Sequence, residues 1–201
     1  MKRHDLKELH YITPIDNVPS ILSDGILSHT KAEKVPHASV AMPEIQRRRS
    51  PVAVPGGGKL HDYANLYICA RNPMLYKRLL EGHQLCVIIV STDVLDLKGV
   101  VISDSNASGN YVRFAPSPDG LSIVDAELTF ADDWRDKISA EFYRKRSAKC
   151  AEVLVHDRID PKFITGVYVA NEGTKKLFDG LKTGLECKIN EHLFFKDEVP
   201  L

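Results

Sequence analysis

Leu85-Cys86-Val87-Ile88-Ile89-Val90-Ser91 opens with six apolar residues in a row. A run that short and that continuous reads as a central strand, which makes a sheet the organising element of the fold. Upstream, residues 65–70 read as a second strand. A helix follows it, with Asn72 as cap and Pro73 in the first position, running to Glu81 and closed by Gly82. Residues 6–13 read as a further strand, followed by a short helix from an Asp16 cap through Ser23 that Gly25 ends. Pro43 and Glu44 suit the start of a helical turn carrying Gln46, Arg47, Arg48 and Arg49. Residues 50–59, with Pro51, Pro55 and Gly56-Gly57-Gly58, are a loop inside the domain.

Downstream, residues 100–103 and 111–114 read as short strands around a Ser/Asn/Gly turn at 105–110. Residues 132–149 are charged and helical in propensity. Residues 151–155 and 164–170 read as strands and 173–181 as a helix, and residues 186–190 form a terminal pair with 193–196. Many short strands, with helices concentrated in the N-terminal half, predict an α+β domain around a mixed or antiparallel sheet. The 201 residues suit a single domain, 1–201.

The hydrophobic fraction is 43% and the charged fraction 27%, with 27 basic and 27 acidic residues, so net charge does not advertise a nucleic-acid partner. No apolar run approaches the ~20 residues that cross a bilayer, and the N-terminus does not read as a secretion signal. Cys69, Cys86, Cys150 and Cys187 form no CxxC pair, which points to free thiols in a reducing cytoplasm. Pro55-Gly56-Gly57-Gly58-Lys59-Leu60 fails as a phosphate loop, because Leu60 stands where a Ser or Thr would bind Mg²⁺. There is no GxGxxG, and His61-Asp62 lacks further ligands at metal spacing, so no protein metal site is expected.

Three features carry chemistry. Arg47-Arg48-Arg49 sits on one helical turn, where neighbours spread about 100° apart, so one or two can enter a cleft while the rest stay in solvent. The plain alternative is a solvated face. Glu152 starts the apolar strand Ala151-Glu152-Val153-Leu154-Val155, either on an exposed face or at a strand end facing a cleft. The second placement suits glycosyl transfer, in which a carboxylate stabilises the cationic sugar centre. Trp134, Phe142 and Tyr143 lie among Arg135, Lys137, Arg144, Lys145, Arg146 and Lys149. This is the composition of a surface that stacks unpaired bases, or of a helix that docks its aromatics into a core.

Five segments together resemble the DarT family of toxin ADP-ribosyltransferases, which modify bases in single-stranded DNA. They are Tyr11-Ile12-Thr13-Pro14-Ile15-Asp16-Asn17, Ile45-Gln46-Arg47-Arg48-Arg49, Leu60-His61-Asp62-Tyr63, the stretch from Leu66-Tyr67 through Arg71-Asn72-Pro73-Met74-Leu75-Tyr76, and Ala151-Glu152-Val153-Leu154-Val155. The resemblance implies an ADP-ribosyltransferase-like fold, a central mixed or antiparallel split sheet with flanking helices, and NAD⁺ in the cleft between the sheet halves. It implies Glu152 as catalytic glutamate and Arg49 as the arginine beside the target base. Tyr11, Thr13 and Asn17 fall in the N-terminal NAD⁺-binding segment, and Tyr67, Met74 and Tyr76 in the nicotinamide and ribose wall. Residues 131–149 correspond to the substrate-recognition loop, which assigns Trp134, Arg144 and Arg146, with Arg47 and Arg48, to DNA. The family's first motif reads His-x-Thr, whereas here Tyr11 stands two residues before Thr13 and His10 three before.

The resemblance thus implies a cytoplasmic, metal-independent transferase of ADP-ribose from NAD⁺ to thymine or guanine in single-stranded DNA, partnered by a macrodomain antitoxin. An ADP-ribosyltransferase acting on RNA or protein would use the same cleft residues. An inert NAD- or DNA-binding module would have no need of Glu152, and a nuclease would cleave without NAD⁺.

Overall fold

The computed structural model describes residues 1–39, 42–81 and 84–196. In chain order the elements are β1 (Leu9–Pro14), α1 (Val18–Asp24), β2 (Ile26–Leu27), α2 (His29–Ala32), α3 (Pro43–Arg49), β3 (Tyr63–Tyr67), α4 (Pro73–Leu80) and β4 (Leu85–Val90). They continue as β5 (Val101–Ser103), β6 (Phe114–Pro116), α5 (Ala126–Phe130), α6 (Ser139–Ala148), β7 (Glu152–His156), β8 (Arg158–Ile159), β9 (Ile164–Val169), α7 (Glu172–Gly180) and β10 (Cys187–Ile189).

Eight strands form one sheet in the order β10-β9-β4-β1-β3-β7-β5-β6, and β2 pairs with β8 beside it. The sheet is mixed: β9–β10 is parallel and the other pairs are antiparallel. It is also split. β1 matches β4 over six residue pairs, from Leu9 with Val90 to Pro14 with Leu85, but meets β3 at the single pair His10–Tyr67.

The apolar run of β4 is buried on both faces, as its sequence demands. Cys86, Ile88 and Val90 enter the main core, and Leu85 and Val87 enter a second cluster with Ile12, Leu75, Phe194 and Phe195. A third cluster, with Val101 and Leu154, lies over the other half of the sheet. Alternation along β7 sends Val153 and Val155 to the main core and puts Glu152 on the opposite face, with Leu154. The site therefore lies on the face that carries the two smaller clusters.

Local signals set several boundaries. Asn72 Oδ1 accepts the N–H groups of Met74 and Leu75 at 3.0 and 3.1 Å, the expected cap for α4. Gly25 ends α1 with φ +89°, where a Cβ would lie 2.3 Å from the Ile159 carbonyl oxygen. The expected closure at Gly82 lies outside the described residues.

Other expectations need correction. Asp16 is not the cap of α1; it lies in a 3-10 turn, Ile15–Asn17, that leads into the helix. The segment 132–149 is helical only from Ser139, because Asp133 and Asp136 accept main-chain N–H groups two residues on and hold turns instead. Helices are not concentrated in the N-terminal half, since α5, α6 and α7 follow residue 125. The terminal pair does not form. Cys187–Ile189 runs parallel to β9, and Leu193-Phe194-Phe195 turns back to place three consecutive apolar residues in the second cluster, where a strand would alternate them between its two faces.

Candidate active site

The last turn of α3 separates the three arginines. Arg47 is exposed. Arg48 is exposed too and bonds Glu44 one turn back at 2.7 Å. Arg49 turns inward, with 8% of its surface exposed. Its two terminal nitrogens each donate to one oxygen of Glu152, both at 3.0 Å, and Glu152 is itself only 1% exposed. The Ala107 N–H donates to Glu152 Oε1 at 3.1 Å, so the carboxylate is held by three donors. Burial alone would loosen the Arg49 proton, but the charge and hydrogen bonds of Glu152 outweigh it and raise the pKa above the ordinary arginine value. Arg49 is therefore a fixed cation. Ion pairs buried this deeply add little net stability, which makes this fork-to-fork pair on a cavity wall the candidate catalytic pair.

The pair lines a cavity of about 990 Å³, at the upper end of the ~300–1,000 Å³ usual for ligand sites. Tyr67, Met74, Cys150, Arg48, Arg144 and Arg146 share the lining. Tyr67 sits opposite Glu152 in the β3–β7 ladder. Burial, reinforced by the Glu152 charge, pushes its phenol well above the usual tyrosine value, so it remains a neutral donor. The Cys150 thiol is likewise pushed up to about 12 by burial, which leaves it unreactive. Among the described residues, no group of three or more His, Cys, Asp or Glu could hold a metal ion.

Of the other residues assigned to NAD⁺ or DNA, Tyr11, Thr13, Asn17, Tyr76, Arg47 and Trp134 do not line this cavity, whereas Tyr143, from the same sequence feature as Trp134, does. Thr13 is 2% exposed, and its hydroxyl accepts the Asn17 side-chain amide at 3.1 Å. Asn17 also grips the Ala38 main chain, donating to its carbonyl at 2.7 Å and accepting its N–H at 2.9 Å. Tyr11 packs against the main core, near enough to Tyr67 to influence its ionisation. Tyr76 and Trp134 form a T-shaped aromatic cluster with Phe195, at centroid distances of 5.0–5.9 Å. The plain reading of Trp134, an aromatic docked into a core, describes where it sits.

Ala107 escaped the sequence reading because its contribution is a main-chain N–H, which leaves no side-chain signature. The block Leu60-His61-Asp62-Tyr63 turns out to brace the glycine loop. Asp62 accepts the Lys59 N–H at 2.9 Å, and Tyr63 donates to the Gly57 carbonyl. His61 Nε2 is buried with no hydrogen-bond partner among the described residues. Burial first, then His29 and Arg49, lower the His61 pKa, so the unfolded chain takes up that proton before the folded one as the pH falls below about 6.5. Stability is therefore lost on the acid side. His61→Asn is expected to flatten the fall in Tm between about pH 7 and 5, as a thermal-denaturation series will show; an unchanged slope would assign the fall to other groups.

The family model described as "DarT: ssDNA thymidine ADP-ribosyltransferase, DarT" matches residues 10–195. The chain belongs to the DarT family. This bears out the family named from the five segments, and the mixed sheet with flanking helices bears out the fold class. A "DNA ADP-ribosyl transferase-DNA ADP-ribosyl glycohydrolase fusion protein" of Thermosipho africanus is 32% identical over 171 residues, which are 82% of this chain and 43% of the fusion. The chain thus spans less than half the length of that relative. The solved structure of Thermus sp. 2.9 DarT in complex with ADP-ribosylated ssDNA superposes with a TM-score of 0.81 at 26% identity, covering 96% of this chain and 100% of that one. Thermus sp. 2.9 DarT in complex with carba-NAD⁺ superposes at 0.76 and 25% identity, covering 94% and 98%.

Proposed function

We propose that this chain transfers ADP-ribose from NAD⁺ to a thymine base in single-stranded DNA and releases nicotinamide. The carrying observation is the buried Arg49–Glu152 fork on the wall of a cavity large enough for two reactants. Membership of a family described by ssDNA thymidine ADP-ribosylation supplies the acceptor.

NAD⁺ supplies an activated glycosidic bond, the one between nicotinamide and ribose. As it breaks, positive charge develops at the sugar carbon, and the Glu152 carboxylate is placed to stabilise it and to orient the ribose hydroxyls. A new bond then joins that carbon to a nitrogen of the base, and the proton that nitrogen gives up passes to solvent. Arg49 holds its own proton too firmly to remove another, so its part is to stabilise negative charge on the departing-proton side of the base. Tyr67 and Met74 would wall the nicotinamide end. Tyr11, Thr13 and Asn17 would meet NAD⁺ from the β1 side of the split, where the Asn17 grip on Ala38 keeps their segment in place. Arg48, Arg144 and Arg146, at the mouth, would track phosphates, and Arg47 would meet the strand farther out.

Mass spectrometry tests this directly. Incubation with NAD⁺ should add one ADP-ribose to oligonucleotides containing thymine and none to those lacking it; adducts on guanine-only strands, or only on RNA or protein, would overturn the base or the acceptor. The packing of Trp134 favours anchoring residues 131–149 over touching DNA. Emission from this residue, the chain's one tryptophan, should therefore stay unchanged when oligonucleotide binds, and strong quenching would return it to the interface.

Among the described residues no helix is long and apolar enough to cross a membrane. We take the chain to act as one domain over 1–201, because a single core cluster joins Leu6 to residues as distant as Ile189, and we place it in the cytoplasm, where its four free cysteines stay reduced. The fused glycohydrolase of the Thermosipho relative supports a macrodomain antitoxin as partner.

A further inference from the structure

Among the described residues, Tyr111 is 95% exposed, more than any other large hydrophobic side chain, yet it lines the cavity that holds Glu152. Isolated exposed aromatics are ordinary; an aromatic left bare at the mouth of a reaction cavity is not.

Its loop is braced. Asp104 accepts the Arg113 main-chain N–H at 3.0 Å and Nε at 2.7 Å, closing the stem. Asn106 Oδ1 accepts the N–H and hydroxyl of Ser108 at 2.9 and 2.8 Å. The Asn106 N–H donates to the Ser147 carbonyl at 3.0 Å, which fastens the loop to α6. One turn before Ser147 on that helix stands Tyr143, 61% exposed and also lining the cavity. Two bare phenol rings are thus presented on adjoining, tethered walls, with Arg146 and Lys77 in the same lining. Rings carried on braced backbone have only their own side-chain torsions to lose on binding, and rings among cations suit unpaired bases whose phosphates pass nearby.

We propose that Tyr111 and Tyr143 are stacking platforms for the nucleotides on either side of the target base, gripping the strand where it leaves the cavity. An entering base fills the interior toward Arg49 and Glu152, so its neighbours must lie at the mouth, where these rings are. The loop that carries Tyr111 also carries Ala107, whose N–H holds Glu152, so the strand contact and the carboxylate share one support. This inference rests on single-stranded DNA being the acceptor.

The test compares wild type, Tyr111→Ala, Tyr111→Phe, Tyr143→Ala and Tyr143→Phe on an oligonucleotide with one target base, and on the same strand with an abasic site 5′ or 3′ of it. Each alanine variant should raise the KM for the intact strand about tenfold, and each phenylalanine variant should restore it. Each alanine variant should also lose its difference from wild type on one of the two abasic strands, which assigns that ring to a side. Wild-type KM in the alanine variants, or equal losses on intact and abasic strands, would overturn the platforms. If wild type modifies no DNA at all, the acceptor reading fails and the platforms fall with it, a result that can be told apart from a variant-specific loss.

Discussion

Glu152→Gln is expected to lower the rate of ADP-ribose transfer by at least about a hundredfold, the scale at which a preorganised charge acts on a transition state. The substitution keeps the shape of the side chain but removes the negative charge. It also sets an NH₂ group against the Arg49 fork, where only acceptors fit. Because the pair is buried, the change also bears on the fold. Arg49 would be left as an uncompensated, mostly buried cation, which costs about 3 kcal/mol, or roughly 6–12 °C in Tm. Single-turnover transfer and thermal denaturation on the same preparation separate the two effects. Pairing Glu152→Gln with Arg49→Gln should recover Tm without recovering transfer. A rate above a tenth of wild type for Glu152→Gln would remove this residue from the chemistry.

Arg49→Lys should also cost about a hundredfold in transfer, while the charge is retained. The ammonium is a point charge on a flexible stem and cannot offer two parallel donors to Glu152. It would leave the carboxylate held by Ala107 and one shifting bond, and would present no planar fork to the base. Arg49→Ala should be worse on both counts, since it also leaves the Glu152 charge buried without its counter-ion. Near-normal transfer in Arg49→Lys would show that charge alone matters here. Normal transfer in Arg49→Ala, with losses in Arg48→Ala, would move the role one residue back.

What the sequence could convey depended on how local the cause was. β4 was legible because burial on both faces writes itself as an unbroken apolar run. The start of α4 was legible because Asn72 and Pro73 act on their own next few residues. Of the site, the arginine triplet announced that a minority of its members could face a cleft, but not which; the fold chose Arg49 through a partner 103 residues away. Glu152 looked out of place in its strand, and that oddity was the most useful local signal. The parallel pairing of β10 and the burial of Leu193-Phe194-Phe195 are set by contacts distant in sequence, so no local pattern distinguished them from a hairpin. The same holds for Trp134, whose neighbours Tyr76 and Phe195 flank it only in space.

The single ladder step between β1 and β3 has one more consequence. Unpaired strand margins normally lie at the rim of a sheet, where their free N–H and C=O groups recruit other chains and must be guarded. Here β1 is fully paired to β4 on one side, while among the described residues its other side pairs with no strand beyond His10. Set in the middle of an eight-stranded sheet, such a margin is closed to the flank of another protein. The fold thus interrupts the pairing of a strand inside its sheet without creating a rim that invites self-association.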